Sequence, residues 1–437
     1  MAAPSTVTEN EAIHRAQEED YRRVVAEYGD PKRTIALILI AAIGMYIMCM
    51  SLGTCLSLRI AALADGPNAM DDATRNTIYS SITALGAAIN IVAQPFIGAL
   101  SDRTTSRWGR RKPWIAGCLI VSVIMMLGVG LFTNAIGIGI CYCLGLMMMQ
   151  CGFSIYSVIP AEGVPDKYRA RVMGFMGMFG ALATSFGSYL AGALVRWPML
   201  LMATPVALGL ITSIPLLVLY KDPHKTRAEV PAGRASDVFR GLFSGFKARD
   251  YMFVWITRVL SGFTIAALFS YFTYYLIDKL DTPLTSVGAA AGTLTLMSAP
   301  VSVIFFTVSG WISDKIGRRK PLVVIAGICM AVALVLAGTS HGFVQFAIAW
   351  ELFAVGQAMY LTVDLALCVA VLPNKKDTGK DMSMFSVALS IGQAAAPACA
   401  PFFINMGAGQ NYLLYWCVAA VLALVAAAMM PLVKGVK

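Results

Sequence analysis

The sequence predicts an all-α membrane protein whose twelve spanning helices form two pseudo-symmetric six-helix halves. Three observations carry this expectation. Hydrophobic residues make up 58% of the 437 positions and charged residues only 13%, against roughly 25% charged in soluble domains. The apolar residues gather into twelve segments near the ~20-residue length that crosses a bilayer. One of the most basic stretches, GRRKP, occurs twice, at Gly109–Pro113 and at Gly317–Pro321, each time shortly after a Ser-Asp.

The elements follow in chain order. Residues 1–33 are polar, contain no cleavable signal-peptide pattern, and include ENEAIHRAQEEDYRRVVAEY, which reads as a solvated cytoplasmic helix leading into the membrane. Six spans follow at 34–60, 74–100, 113–133, 136–160, 171–195 and 198–220, forming a first half over 34–220. A polar linker containing Pro and Gly occupies 221–250. Spans at 251–277, 286–312, 321–339, 343–372, 382–405 and 411–433 form the second half, 251–437, which ends in a short tail. Each span must be a helix, because backbone amides in lipid need partners within their own segment and no barrel-like alternation is present.

Basic residues set the orientation. Arg103, Arg107, Arg110, Arg111 and Lys112 lie between spans 2 and 3, and Lys167, Arg169 and Arg171 between spans 4 and 5. Further clusters fall in the linker, between spans 8 and 9 (Lys315, Arg318, Arg319, Lys320) and between spans 10 and 11 (Lys375, Lys376, Lys380). The intervening loops hold little beyond Arg196 and Lys279. Lys and Arg stay on the cytoplasmic side, so both termini are expected inside.

Several function classes are excluded or unsupported. The net charge of +10 is dispersed between spans rather than displayed on a folded domain, so nucleic acid is not an expected partner. The ten cysteines lie within or at the edges of spans without metal-ligand spacing and read as small hydrophobes. No metal or other cofactor is expected, and the chain is expected to act as a monomer in the bilayer. With three histidines, all outside the spans, and no nucleophile elbow, no enzyme chemistry is indicated.

The repeat has an architectural meaning. In both halves the basic turn joins the second span to the third, as GALSDRTTSRWGRRKPWI and GWISDKIGRRKPLV. A second echo follows the fourth span of each half, SVIPAEGVPDKYRARVMGF against AVLPNKKDTGKDMSMF. Two parallel six-helix halves with a site near mid-membrane at their interface are an architecture of secondary transporters.

These turns resemble the signature loop of the major facilitator superfamily, present here in both halves, and the resemblance covers essentially the whole chain. The longer string AQPFIGALSDRTTSRWGRRKPWIAG, Ala93 to Gly117, resembles the corresponding segment of the sucrose–proton symporters. It is similar, less closely, to that of the glycoside–pentoside–hexuronide cation symporters. The resemblance implies a multi-pass carrier of the cell membrane that imports a sugar or glycoside with a coupling ion.

The residues themselves suggest where such work is done. Asp102 and Asp314 end helices at the cytoplasmic face beside Arg103, Arg110, Arg111, Arg318 and Arg319. A contact made there in one access state and broken in the other would be a conformational latch; a tight turn obeying the charge rule is the plainer reading. On span 10, Trp350, Phe353, Gln357, Tyr360 and Asp364 fall within about 40° of one line. Aromatic, amide and carboxylate groups on one face suit a sugar, whose C–H face stacks on rings while its hydroxyls take polar partners. Span 2 offers Asn76, Tyr79, Thr83, Asn90 and Gln94; span 4 offers Gln150, Ser154 and Ser157; span 7 offers Thr264, Tyr271 and Tyr274. The substrate-binding candidates are Asn90, Gln94, Gln150, Ser154, Tyr271, Trp350, Gln357 and Tyr360. Polar side chains also serve as interhelical glue.

Charge inside spans is scarcer. Arg258, Glu351 and Asp364 are the proton-coupling candidates. Arg258 and Asp364 both lie roughly 10–13 Å from the cytoplasmic end of their spans, so an ion pair is feasible. Glu351 lies in the outer half, about 140° round the helix from Asp364.

Three departures from related families matter. The glycoside–cation symporters carry aspartates in span 2 where Asn90 and Gln94 stand, and amides do not replace two carboxylates at a sodium site, so protons are the expected coupling ion. The sucrose symporters carry an Arg and an Asp late in span 4, where SIYSVIPAEG offers only Glu162. The drug–proton exporters, which share the signature turn, typically carry Gly-Pro-x-x-Gly-Gly in span 5, and span 5 here is glycine-rich without a proline. Proton-coupled sugar import is the leading expectation, with export of another small molecule and facilitated sugar diffusion as alternatives.

Overall fold

A computed structural model of the chain describes residues 18–64, 70–102, 104–223, 249–316, 320–370, 378–407 and 410–433. Twelve long helices run through them. In the first half these are α1 (Pro31–Ala64), α2 (Asp72–Asp102), α3 (Lys112–Leu131), α4 (Ala135–Gly163), α5 (Asp166–Leu194) and α6 (Pro198–Leu219). In the second they are α7 (Arg249–Asp278), α8 (Leu284–Ile316), α9 (Lys320–Gly338), α10 (Phe343–Ala370), α11 (Thr378–Ile404) and α12 (Tyr412–Met429).

Proline marks where several begin. It occupies the first turn of α3 and α6 and the residue before α5, where its missing N–H is needed by nothing. Proline also lies inside α4, α6, α8 and α11, which membrane helices tolerate because neighbouring groups satisfy the freed carbonyls. Asn411 caps α12 by accepting from the Leu414 amide at 3.2 Å. The Arg59 guanidinium closes the other kind of end: it donates to the carbonyls of Val129, Gly130 and Phe132 as α3 terminates.

Among the described residues, eleven helices are long and apolar enough to cross a membrane. The other is α5, whose first two turns carry Lys167, Arg169 and Arg171 and whose body is rich in glycine. Its 29 residues still exceed the ~20 that a bilayer core requires.

Packing repeats between the halves. In the first, α1 packs on α5 and α6, α3 on α4 and α6, and α2 on α4; in the second, α7 packs on α11 and α12, α9 on α10 and α12, and α8 on α10. Every pairing has its counterpart six helices on. The halves meet along α2–α11 and α5–α8, themselves exchanged by the same relation. A buried cluster of rings lies in the second half, where Tyr275 stacks on Phe346 at 5.1 Å and meets Trp416 at 4.8 Å. Between membrane helices such contacts act through close packing, since lipid tails are as apolar as the side chains they replace.

One expectation needs correcting. The segment before α1 is helical over residues 18–28, yet it is not wholly solvated. Val24 and Tyr28 are buried, and Tyr28 stacks on Tyr220 just beyond α6, with ring centroids 6.0 Å apart. Burial, helped by the nearby Glu162 carboxylate, pushes the Tyr28 hydroxyl up to about 12. One apolar stripe on a charged helix suffices to dock it.

Candidate functional site

Three clusters of polar side chains are held between or at the ends of these helices. The first lies within the second half. The side chain of Arg258 on α7 meets that of Asp364 on α10, Nε to Oδ2 3.0 Å, and the Tyr360 hydroxyl donates to Asp364 Oδ1 at 3.0 Å. Arg258 and Asp364 are 8% and 3% exposed, so this pair does not reach water by extending to the cytoplasm. The pairing read from helical depth is therefore formed. The rest of the α10 stripe also turns to α7: Trp350 packs on Phe269 and Phe272 at 5.1 and 4.8 Å, and Phe353 lies near Phe269. Gln357 is half-buried within it. Glu351 points elsewhere, as its angular offset requires, and neither carboxylate oxygen has a hydrogen-bond partner among the described residues.

The second cluster joins the two halves at the outer end. Arg75, in the first turns of α2, makes a bidentate pair with Asp278, the last residue of α7, at 3.1 and 2.5 Å. Tyr412 donates its hydroxyl to the same carboxylate. Asp72 lies 3.3 Å from Arg75 and accepts from Gln410 at 2.6 Å. The Arg75 guanidinium also sits 4.6 Å from the centre of the Tyr274 ring, a cation–π arrangement. Beneath it, the Asn76 side chain donates to Asn405 Oδ1 at 3.4 Å and the Asn76 backbone carbonyl accepts from the Tyr271 hydroxyl at 3.2 Å. Tyr79 meets Tyr271 and Tyr274 edge-on. On the far side of the bundle α5 and α8 touch backbone to backbone. A Cβ added to Gly192 would lie 2.8 Å from Gly288 Cα, and the Tyr189 and Thr293 hydroxyls bond at 2.8 Å. Small residues permit this approach.

The third cluster is the first basic turn. Gly109 has φ +101°, and a Cβ there would strike Asp222. Asp222, just beyond α6, accepts from the backbone amides of Arg111 and Lys112 at 2.6 and 3.2 Å, satisfying the N-terminus of α3 with a negative charge. Arg110 and Arg111 both reach Glu162 at the end of α4, at 2.7 and 2.6 Å. Glu162 thus belongs to this turn at the inner membrane face, which separates it from the acid that sucrose symporters hold within span 4. Asp102 and Asp314 lie in the last turns of α2 and α8, and their side chains, with Arg103, Arg318 and Arg319, are outside the described residues.

The remaining sequence candidates are dispersed. Asn90 is buried with no partner for its Oδ1 among the described residues, and Gln94 is half-buried. Gln150 accepts a long contact from the Cys49 thiol, 3.8 Å. Ser154 lines a cavity of about 140 Å³ with Ser101, Arg111 and Glu162. Tyr271 and Tyr274 serve the outer closure in this state.

Sequence reading missed that closure. Arg75 and Asp278 are 203 positions apart and sit at span ends, where a charge looks ordinary. Their signal was the scarcity of basic residues in the outer loops, against which Arg75 stands among acidic neighbours.

Comparisons with known proteins agree with this architecture. The family model described as Major Facilitator Superfamily matches residues 35–341 and 288–436. The human protein named proton-associated sugar transporter A is 27% identical over 191 residues, covering 36% of this chain and 25% of that protein's length; the chain thus aligns with only about a quarter of that relative. Among solved structures, the nucleoside transporter NupG superposes with a TM-score of 0.72 at 13% identity, covering 92% of this chain and 100% of that one. A D-xylose–proton symporter superposes with a TM-score of 0.67 at 16% identity, covering 92% and 97%. With its two six-helix halves, its repeated basic turn and a family match extending over nearly the full sequence, the chain belongs to the major facilitator superfamily of membrane transporters.

Proposed function

We propose that this protein imports a sugar or glycoside together with a proton, by alternating access across the cell membrane. The observation that carries the reading is the contrast between two carboxylates of α10. Asp364 is held by Arg258 and Tyr360, whereas both carboxylate oxygens of Glu351 are buried and neither is hydrogen-bonded among the described residues. An ionised carboxylate without a partner is costly in an apolar setting, and a protonated one far less so. Glu351 is then the proton carrier and Asp364 a fixed charge that positions α7 against α10. The resemblance to sugar–proton carriers in sequence, and to a D-xylose–proton symporter in fold, supports the substrate class and the coupling ion.

Asn90, Gln94, Gln150, Ser154 and Gln357 supply the amide and hydroxyl groups that would take sugar hydroxyls, while Tyr271, Trp350 and Tyr360, buried against neighbouring helices in this state, would meet the sugar only after those helices rearrange. Asn90 and Gln94 bring no negative charge to α2, which favours a proton over sodium. Asp102 and Asp314, with Arg103, Arg318 and Arg319, act as the cytoplasmic latch, whereas Arg110 and Arg111 are engaged by Glu162 within their own half; the carrier works as a monomer.

The test is uptake of a panel of labelled mono- and disaccharides and glycosides into proteoliposomes, with and without imposed proton and sodium gradients. At least one sugar accumulates above equilibrium under an inward proton gradient and is indifferent to sodium. Accumulation driven by sodium, or no sugar moved under any gradient, would sink the reading.

A further inference from the structure

Between α3 and α6, at their cytoplasmic ends and adjoining the basic turn through Lys112 and Asp222, lies a groove of about 710 Å³, within the usual range of small-molecule sites. Its walls are hydrocarbon: Ile120 of α3 faces Ile214, Leu217 and Val218 of α6. Ile120 and Val218 are 48% and 68% exposed, so the slot opens sideways to the lipid rather than toward the centre of the bundle. Its inner rim is basic, formed by Arg107, Lys112 and Lys221. The single carboxylate there, Asp222, has one oxygen already engaged by two backbone amides of α3. Lys221 gives one hydrogen bond to the Ala26 carbonyl at 3.2 Å, and an ammonium has two more to give. Trp108 stands at the mouth, 74% exposed, an amphipathic ring of the kind that settles at headgroup level.

Three cations against one carboxylate, at the cytoplasmic end of a slot of acyl-chain character, select for one kind of molecule. We propose that the groove binds a phospholipid of the inner leaflet whose headgroup bears net negative charge. The phosphate sits between Arg107 and Lys221, and an acyl chain lies along Ile120 and Ile214. A zwitterionic lipid fills the same slot but cancels less of the charge; free phosphate meets the cations but leaves the walls uncovered. The bound headgroup lies against Asp222, and so beside the residue that holds the N-terminus of α3.

The test is lipid retention by the purified full chain, measured by native mass spectrometry after exposure to equal amounts of phosphatidylglycerol and phosphatidylcholine. Phosphatidylglycerol is retained preferentially. The variant Arg107→Gln/Lys221→Gln lowers its retention by about thirtyfold, two basic residues at a lipid surface being together worth that much. Ile214→Trp, which keeps every charge and fills the slot, lowers it as well, and millimolar inorganic phosphate does not displace the lipid. Equal retention of the two lipids, undiminished phosphatidylglycerol on the double variant, or displacement by inorganic phosphate would each overturn the assignment.

Discussion

The outer and inner ends of this bundle use the same chemistry, arginine against carboxylate, in opposite ways. At the outer end Arg75 and Asp278 belong to different halves, and both side chains are almost fully buried, at 6% and 4% exposure. At the inner end Arg110 and Arg111 reach Glu162 within the same half, and Glu162 is 36% exposed. A bond between halves must break when the halves separate on that side. A bond within one half can persist through every state, because its partners move together. The outer pair therefore belongs to the switch, and the described part of the inner turn belongs to the body it moves. A buried pair that loses one partner costs about 3–5 kcal/mol, while a partly exposed pair is worth about 1 kcal/mol or less.

That difference can be broken from either end. The largest effect is expected from Asp278→Asn, which leaves Arg75 buried without its full counter-charge and weakens the outward-closed state by several kcal/mol. Spin labels at Thr77 and Met406 on a cysteine-free background should report a population with a longer separation than in the parent. An unchanged distance distribution would remove the pair from the switch. A smaller effect is expected from Gly288→Leu, which forces side-chain volume between α5 and α8 where overpacking costs about 1–3 kcal/mol. The same labels should then show partial opening, and turnover should fall more than equilibrium substrate binding. The smallest is expected from Glu162→Gln. It should lower the unfolding temperature slightly and leave the Thr77–Met406 distances as they are; if it shifts them as far as Asp278→Asn does, the two ends are not different in kind.

Much of this fold was legible in the sequence because the bilayer imposes one dominant constraint, a run of apolar residues of fixed length. Even so, α5 begins at Asp166 rather than near residue 171, since Lys167, Arg169 and Arg171 read as loop while they occupy its first two turns. The Arg258–Asp364 pair was legible because two charges at equal depth on apolar helices have few alternatives. The placement of Trp350 was not. A helical wheel groups Trp350, Gln357 and Asp364 on one face, but whether that face meets a cavity or α7 depends on how the helices are arranged. Arg59 escaped notice for a related reason: its partners are backbone carbonyls at the end of α3, which no side-chain pattern announces. The outer closure, assembled from residues of α2, α7 and α12, needed the three-dimensional meeting of both halves.

The central claim is that sugar and proton enter together, with Glu351 as the carrier. It is tested most directly by loading proteoliposomes with a pH-sensitive dye and adding, from outside, the sugar identified by uptake. The parent protein should acidify the lumen as sugar enters, with no change when sodium is replaced by potassium, and Glu351→Gln should exchange labelled for unlabelled sugar without moving protons. Sugar entry with no pH change, luminal alkalinisation, or undiminished acidification by Glu351→Gln would contradict the account.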